Sequence, residues 1–321
     1  MKALVIGATG FIGGAIARAA VERGWQVRAT RRDERRTGSL GDLSEQGRIE
    51  WQTAHLLDGD ALALAMQGCQ VVFHAAAHYP TTSRDMPSQL RTARTQMETV
   101  LQAFRRAGPE VLVYTSSLST IGPPGAPGRL ANESDVYRLG SRPVGYFDVK
   151  IIMEETALAA RLPVVALCPS AVFGPGDVKP TSGILVINVA RGRVPFYVDG
   201  THNVVDARDL AATQLAAAEH GRPGQRYIVG GENMTFREEL TTIAEQAGRR
   251  PPWLKLPAGL VEGAGALAGR LGILGGDILR AIRYWQALDT SRARAELGHT
   301  SRPFADTARD SLAWFRAHDY L

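Results

Sequence analysis

Cysteine is scarce. Cys69 and Cys168 are the only two in a chain of 321 residues, and each sits in or beside an apolar run ("GCQVVFHAAA" and "VVALCPSAVF"). So few thiols exclude a disulfide framework; they read as buried free thiols in a reducing, cytoplasmic compartment. Long uncharged hydrophobic runs are missing too. The longest low-charge stretch, "PAGLVEGAGALAGRLGILGGDIL", is broken by Glu262, Arg270 and several glycines, so no membrane span is expected. The opening "MKALVIGATG" passes directly into a strand without the layout of a secretion signal. Charge of one sign never accumulates: 37 Lys and Arg face 32 Asp and Glu, a net of +5, with the arginines scattered. That excess suits a local anion site and not a nucleic-acid footprint. His74, His78 and His202 lack metal-ligand spacing, and no metal is expected.

What is there is regular alternation. Short apolar, β-branched runs ("KALVIG", "WQVRAT", "IEWQTAHLL", "GCQVVFHAA", "EVLVYTSS", "LPVVALCPS") alternate with helical spacing ("GAIARAAVERG", "DALALAMQG", "SQLRTARTQMETVLQAFRRAG", "YFDVKIIMEETALAARL"). This predicts βαβ units and a doubly wound parallel α/β sheet. Beyond Cys168 the pattern loosens: a loop "GPGDVKPTSG", a helix from "GILVINVA", a strand and helix in "NVVDARDLAATQLAAAEH", a strand "QRYIVGG", then a mainly helical remainder. We expect a dinucleotide-binding domain over 1–168 plus about 201–229, and a smaller, mainly helical substrate-binding cap over 169–200 plus 230–321.

"VIGATGFIGG" places Gly7, Gly10 and Gly13 between the first strand and the first helix. Gly7 allows the tight turn, Gly10 the approach of a pyrophosphate, and Gly13 close packing of helix on strand. The helix N-terminus then offers free N–H groups to phosphates. The second strand decides the nucleotide. Its end reads Thr30, Arg31, Arg32, where an acid for a ribose 2′-hydroxyl is absent. Two guanidiniums suit a 2′-phosphate, so NADP(H) is preferred, with NAD(H) the alternative.

Tyr146 and Lys150 in "VGYFDVKIIMEE" lie one helical turn apart, with Cβ atoms roughly 6 Å from each other. An ammonium about 5 Å from a phenolate, at an effective dielectric near 20, favours the charged form by about 3 kcal/mol. That brings a tyrosine from about 10 toward 8, where it can exchange a proton with a carbonyl or alcohol oxygen. The pair alone is a common accident on an amphipathic helix. The serines that end "EVLVYTSS" add a hydroxyl at a strand's C-terminal end, facing the ligand crevice of an α/β sheet, although either could simply cap a turn.

These motifs resemble the extended short-chain dehydrogenase/reductase family. "GATGFIG", "YTSS", "YFDVK" and "CPSAVFGPGD" fall in its order, and "GPGDVKPT", "NVVDARDLA" and "RYIVGGENMTFRE" are most similar to its dihydroflavonol-reductase-like and hopanoid-associated sugar epimerase branch. The resemblance implies a Rossmann-type fold, a catalytic triad of Ser117, Tyr146 and Lys150, and a homodimer built on the helix bearing Tyr146 and the long helix near 88–107. It implies cofactor contacts from Gly7, Thr9, Gly10, Phe11, Ile12, Gly13, Arg31, Arg32, Leu56, Ala75, Ala76, Ala77, Tyr146, Lys150, Pro169 and Val172. Three departures stand out. His55 replaces the acid that contacts adenine; "TARTQMET" lacks the asparagine that supports active-site water; and His202 stands where nucleotide-sugar enzymes carry a pyrophosphate-binding arginine.

The function that follows is an NADP(H)-dependent oxidoreductase acting on a small-molecule ketone or aldehyde, or on the corresponding alcohol. A nucleotide-sugar epimerase or dehydratase uses the same triad, and a sensor that holds NADP(H) without turnover is the third reading. The cap aromatics Phe196, Tyr197, Trp253, Tyr284 and Trp285 read as core before substrate shelf. "LVEGAGALAGRLGILGG" suits either an amphipathic helix packed on the body or the wall of an apolar pocket.

Overall fold

A computed structural model describes residues 1–77, 85–141, 145–261, 263 and 281–321. His78 and most of "LVEGAGALAGRLGILGG" lie outside the described residues.

The N-terminal half alternates as the periodicity predicts: β1 (Lys2–Ile6), α1 (Phe11–Glu22), β2 (Gln26–Arg31), α2 (Gly41–Glu45), β3 (Ile49–Thr53), α3 (Gly59–Met66), β4 (Val71–His74), α4 (Met86–Ala107), β5 (Val111–Thr115), α5 (Gly145–Ala159) and β6 (Val164–Pro169). After β7 (Ala171–Phe173) come α6 (Gly183–Ala190), β8 (Phe196–Tyr197), β9 (Thr201–Asp206), α7 (Ala207–His220), β10 (Arg226–Val229), β11 (Glu232–Thr235), α8 (Phe236–Gln246) and β12 (Leu254–Lys255). Two more helices, α9 (Ser291–Leu297) and α10 (Phe304–Ala317), close the chain.

Seven strands form one parallel sheet in the order β3-β2-β1-β4-β5-β6-β10. β4, β5 and β6 are buried along their whole length and β1 from Ala3 onward, which is why they read as unbroken apolar runs and not as alternation. Helices α1 and α7 pack together beside one core cluster, and α3, α4 and α5 beside another. The order reverses between β1 and β4, and open α/β sheets bind ligands beyond the strand ends at such a reversal. Register places Ile6, His74 and Tyr114 side by side across β1, β4 and β5 there.

The remaining layer is mainly helical, as expected, and carries short strands as well. β9 pairs with β7 and β11 in a three-stranded sheet, whereas α7 and β10, from the same stretch of chain, cover and extend the large sheet. Phe173, Ile187, Val204, Leu240, Phe304 and Phe315 fill a separate core beneath α6, α8 and α10. Strands of two to four residues are too short to show an alternation, so β7, β8, β11 and β12 left no sequence signal. The cap aromatics also divide. Trp253 and Phe196, expected as core, are 74% and 37% exposed, because β8 and β12 form a two-stranded ribbon. Both cysteines are free and buried.

Candidate active site

Gly7 adopts φ +90°, and a Cβ there would lie 2.9 Å from Ala76 N, so the turn and the segment after β4 touch through the missing side chain. Gly13 faces the same turn: its Cβ would stand 2.2 Å from Gly7 O. Gly10 caps α1 with no side-chain hydrogen bond, and the first turn holds no acidic residue. The N–H groups at this helix end therefore keep their capacity for an anion. Thr9, Phe11 and Ile12 flank the turn, with Phe11 and Ile12 packed on the first core.

Thr30 Oγ1 accepts from Gly7 N at 3.3 Å, tying the end of β2 to the turn. The guanidinium of Arg31 lies 5.2 Å from the Trp51 ring centroid, and its Nε is buried without a partner. Arg32 is exposed. An orphaned cationic N–H beside an uncapped helix end fits a phosphate-bearing nucleotide. His55 is exposed and accepts from Leu57 N, while Leu56 packs on the second core. Ala75, Ala76 and Ala77 follow β4, with Ala75 N bonded to Ile6 O; Pro169 ends β6 and Val172 lies in β7.

The structure separates the two serines at the end of β5. Ser116 Oγ turns inward to Glu154. Ser117 Oγ accepts from Ser119 N at 3.1 Å, capping the 3-10 turn Leu118–Thr120, and lies 3.4 Å from Tyr146 Oη. Capping and facing the phenol are thus the work of one hydroxyl, the cap fixing its direction. A spacing of 3.4 Å exceeds the usual O–H···O length of about 2.7 Å, so the two oxygens stand side by side and can both address a third.

Lys150 lies one turn further along α5 and is buried. Its ammonium donates to Thr115 O at 3.2 Å and Ser116 O at 3.3 Å and sits 5.7 Å from the Tyr114 ring centroid. One of its three N–H groups keeps no partner among the described residues. Burial brings its pKa down to about 8, against a smaller upward pull from Glu154. His74, its ring tilted against that of Tyr114 at 5.6 Å, is held neutral by burial, with a pKa of about 3. These contacts join Ser117, Tyr146 and Lys150 at the C-terminal edge of β5, two strands from the glycine turn on β1.

His202 belongs elsewhere. It is 1% exposed, stacked on Trp285 and tilted against Phe236, with Nε2 3.2 Å from Glu239 Oε2. Tyr284 instead joins Tyr137 and Phe147 in an aromatic cluster against which Tyr146 packs. Outside the crevice, Arg94, Leu101, Arg105, Ile152, Glu155 and Thr156 line an open groove of about 420 Å³ between α4 and α5. Among the described residues no His, Cys, Asp and Glu cluster could hold a metal, and no helix is long and apolar enough to cross a membrane. Sequence reasoning weighed His74 only as a metal ligand and passed over Tyr114, Glu154 and Arg226. Glu154 carried one usable signal, its place four residues beyond Lys150 inside an apolar helix; Arg226 carried none.

The profile of the NAD dependent epimerase/dehydratase family matches residues 3–230. A Synechocystis protein named for dihydroflavonol 4-reductase is 34% identical, over 99% of this chain and 95% of its own. Sterol demethylase protein B of Methylococcus capsulatus is 30% identical, over 98% of each chain. The crystal structure of a nucleoside-diphosphate-sugar epimerase from Pseudomonas aeruginosa superposes with a TM-score of 0.85 at 27% identity, covering 100% of this chain and 99% of that one. With a parallel sheet reversing at a glycine turn, and a profile match over most of its length, the chain belongs to the NAD dependent epimerase/dehydratase family of extended short-chain dehydrogenase/reductase-like enzymes.

Proposed function

We propose that this protein is an NADP(H)-dependent carbonyl reductase, running in reverse as an alcohol dehydrogenase, with Tyr146 as proton donor and acceptor. The observation that carries the reading is the 3.4 Å approach of Tyr146 Oη to Ser117 Oγ, with the Lys150 ammonium buried behind them. When bound, the reduced dinucleotide supplies the hydride. Ser117 and Tyr146 hold the carbonyl oxygen from two sides, and Tyr146 gives it a proton as the alcohol forms. Lys150 favours the phenolate left behind, and its free N–H serves the nicotinamide ribose. The turn from Gly7 to Gly13 holds the pyrophosphate, Arg31 and Arg32 the 2′-phosphate, and Leu56 the adenine. Ala75, Ala76 and Ala77 line the cofactor beside the glycine turn, and Pro169 and Val172 lie against the nicotinamide.

Two observations favour a ketone or aldehyde over a nucleotide sugar. The wall beside Tyr146 is aromatic, built from Tyr137, Phe147 and Tyr284. The one polar residue in the position of a diphosphate-binding arginine, His202, is buried against Glu239. The Synechocystis relative is also named as a reductase and not as an epimerase. The second reading, a nucleotide-sugar epimerase, draws on the name of the Pseudomonas neighbour. In solution, the groove between α4 and α5 is the surface over which a homodimer would close.

A screen of NADPH oxidation over flavonoids, steroids, aliphatic ketones and sugars, with Tyr146→Phe as control, tests the assignment. We expect NADPH consumption stoichiometric with alcohol and lost in the variant. Turnover that survives Tyr146→Phe overturns the proton donor. Purification with tightly held dinucleotide and interconversion of a sugar without added cofactor would select the epimerase.

A further inference from the structure

The row of polar residues on α5 continues past the proposed triad. Glu154 lies one turn beyond Lys150 and is 5% exposed. Its Oε2 accepts from Ser116 Oγ, is approached by Thr120 Oγ1 at 3.0 Å, and accepts from Cys168 Sγ at 3.2 Å. Its Oε1 faces Arg226 at 3.2 Å. Arg226 in turn donates to Thr120 Oγ1 at 2.8 Å, and Thr120 Oγ1 lies 2.9 Å from Ser117 O. One carboxylate thereby gathers the loop after β5, the 3-10 turn, β6 and β10 beneath Ser117, Tyr146 and Lys150.

We infer that Glu154, braced by Arg226, is a positioning residue that keeps the Lys150 ammonium charged and the Ser117 turn in register with Tyr146. The inference rests on the proposed role of Tyr146 and Lys150. Its physical basis is the inventory around a buried ammonium. From α5, Tyr146 and Glu154 face Lys150. From β4 comes neutral His74; from β5 the Tyr114 ring and the carbonyls of Thr115 and Ser116. From β6 comes the Cys168 thiol, pushed up to about 12 by burial and the neighbouring Glu154 carboxylate. Glu154 is the one carboxylate among these described groups, and it opposes the desolvation that strips the proton from Lys150. Arg226 prevents it from being a lone buried charge, which would be far costlier than the pair.

Glu154→Gln keeps the shape and removes the charge, leaving Arg226 as an unpaired cation near Lys150. Lys150 then loses its proton at lower pH, and the phenol loses its stabilising ammonium. The measurement is the near-ultraviolet tyrosinate titration of the protein minus that of Tyr146→Phe, which isolates Tyr146 and needs no substrate. We expect the Tyr146 midpoint in Glu154→Gln to rise by about one pH unit, a tenfold change in proton affinity. In Arg226→Gln the Glu154 carboxylate keeps the Ser116 and Cys168 donors that hold it ionised but loses its rival cation, and the midpoint falls. Opposite shifts in the two variants are a signature that a packing defect does not produce. An unmoved midpoint, or movement in the same direction in both, overturns the inference. If Glu154→Gln does not fold, Arg226→Gln decides alone: a fall supports the role, and no change or a rise removes it. If the parent protein itself shows Tyr146 titrating like free tyrosine, the proposed proton donor fails instead.

Discussion

Glu154 and Asp206, two of the buried carboxylates among the described residues, are both ringed by donors and are used differently. Glu154 is 5% exposed and Asp206 2%. Asp206 ends β9, caps α7 through Arg208 N at 2.8 Å, takes a two-pronged contact from the Arg208 guanidinium, and accepts from Thr307 Oγ1 on α10. Arg302 approaches it at 3.7 Å. The side chains of both its arginines are a third or more open to water, at 37% and 33%, whereas that of Arg226 is 11% exposed. Asp206 therefore sits at a joint, stitching β9 and α7 to α10, with its charge shared toward solvent. Glu154 holds its charge in a dry site among the loops that carry the reacting hydroxyls. What separates a joint from a site is which groups a buried carboxylate organises and how well its counter-charge is screened.

The largest effect belongs to the reacting group itself. Tyr146→Phe is expected to lower NADPH-dependent turnover by about a thousandfold while leaving the melting temperature unchanged, as general acid–base catalysis typically contributes this much. At the joint, Asp206→Asn leaves two arginines facing a neutral amide. Denaturant unfolding should show a loss of about 3 kcal/mol, with the Tyr146 titration where it was. A shifted titration would erase the distinction between the two carboxylates.

The regions should also part in their pH response. The folded pKa of Lys150, about 8, lies below its ordinary 10.5. Its burial thus costs stability at pH values below 8, where both states are protonated but only the folded one is strained. That cost fades as pH rises from 8 to 10.5, because the unfolded chain then holds the extra proton. Relative to Lys150→Met, the wild-type protein should gain stability across that window, by about 3 kcal/mol at most, as read by unfolding curves at the two ends. Equal curves would mean that Lys150 is hydrated in solution. The smallest effect concerns the nucleotide: Arg31→Ala should cut the preference for NADPH over NADH by about tenfold, measured as a ratio of dissociation constants. An unchanged ratio would return Arg31 to a purely structural stack on Trp51.

How far the chain could be read in advance followed the range of the interactions. Gly7, Gly10 and Gly13 lie between a strand and a helix, and Tyr146 and Lys150 on one helical face. Backbone geometry sets both arrangements within a few residues, so spacing alone disclosed them, and the parallel sheet followed from the alternation. Tertiary packing decided the rest. Nothing local distinguishes Ser116 from Ser117; strand order and the 3-10 turn sent one to Glu154 and the other to Tyr146. The meeting of Glu154 with Arg226 requires β10 to dock beside β6. The withdrawal of His202 into an aromatic stack requires α8 to supply Phe236 and Glu239, while Trp285 arrives from a later segment. Local spacing fixes which side chains share a face; only the packed fold brings distant charges together and removes the water that would otherwise screen them.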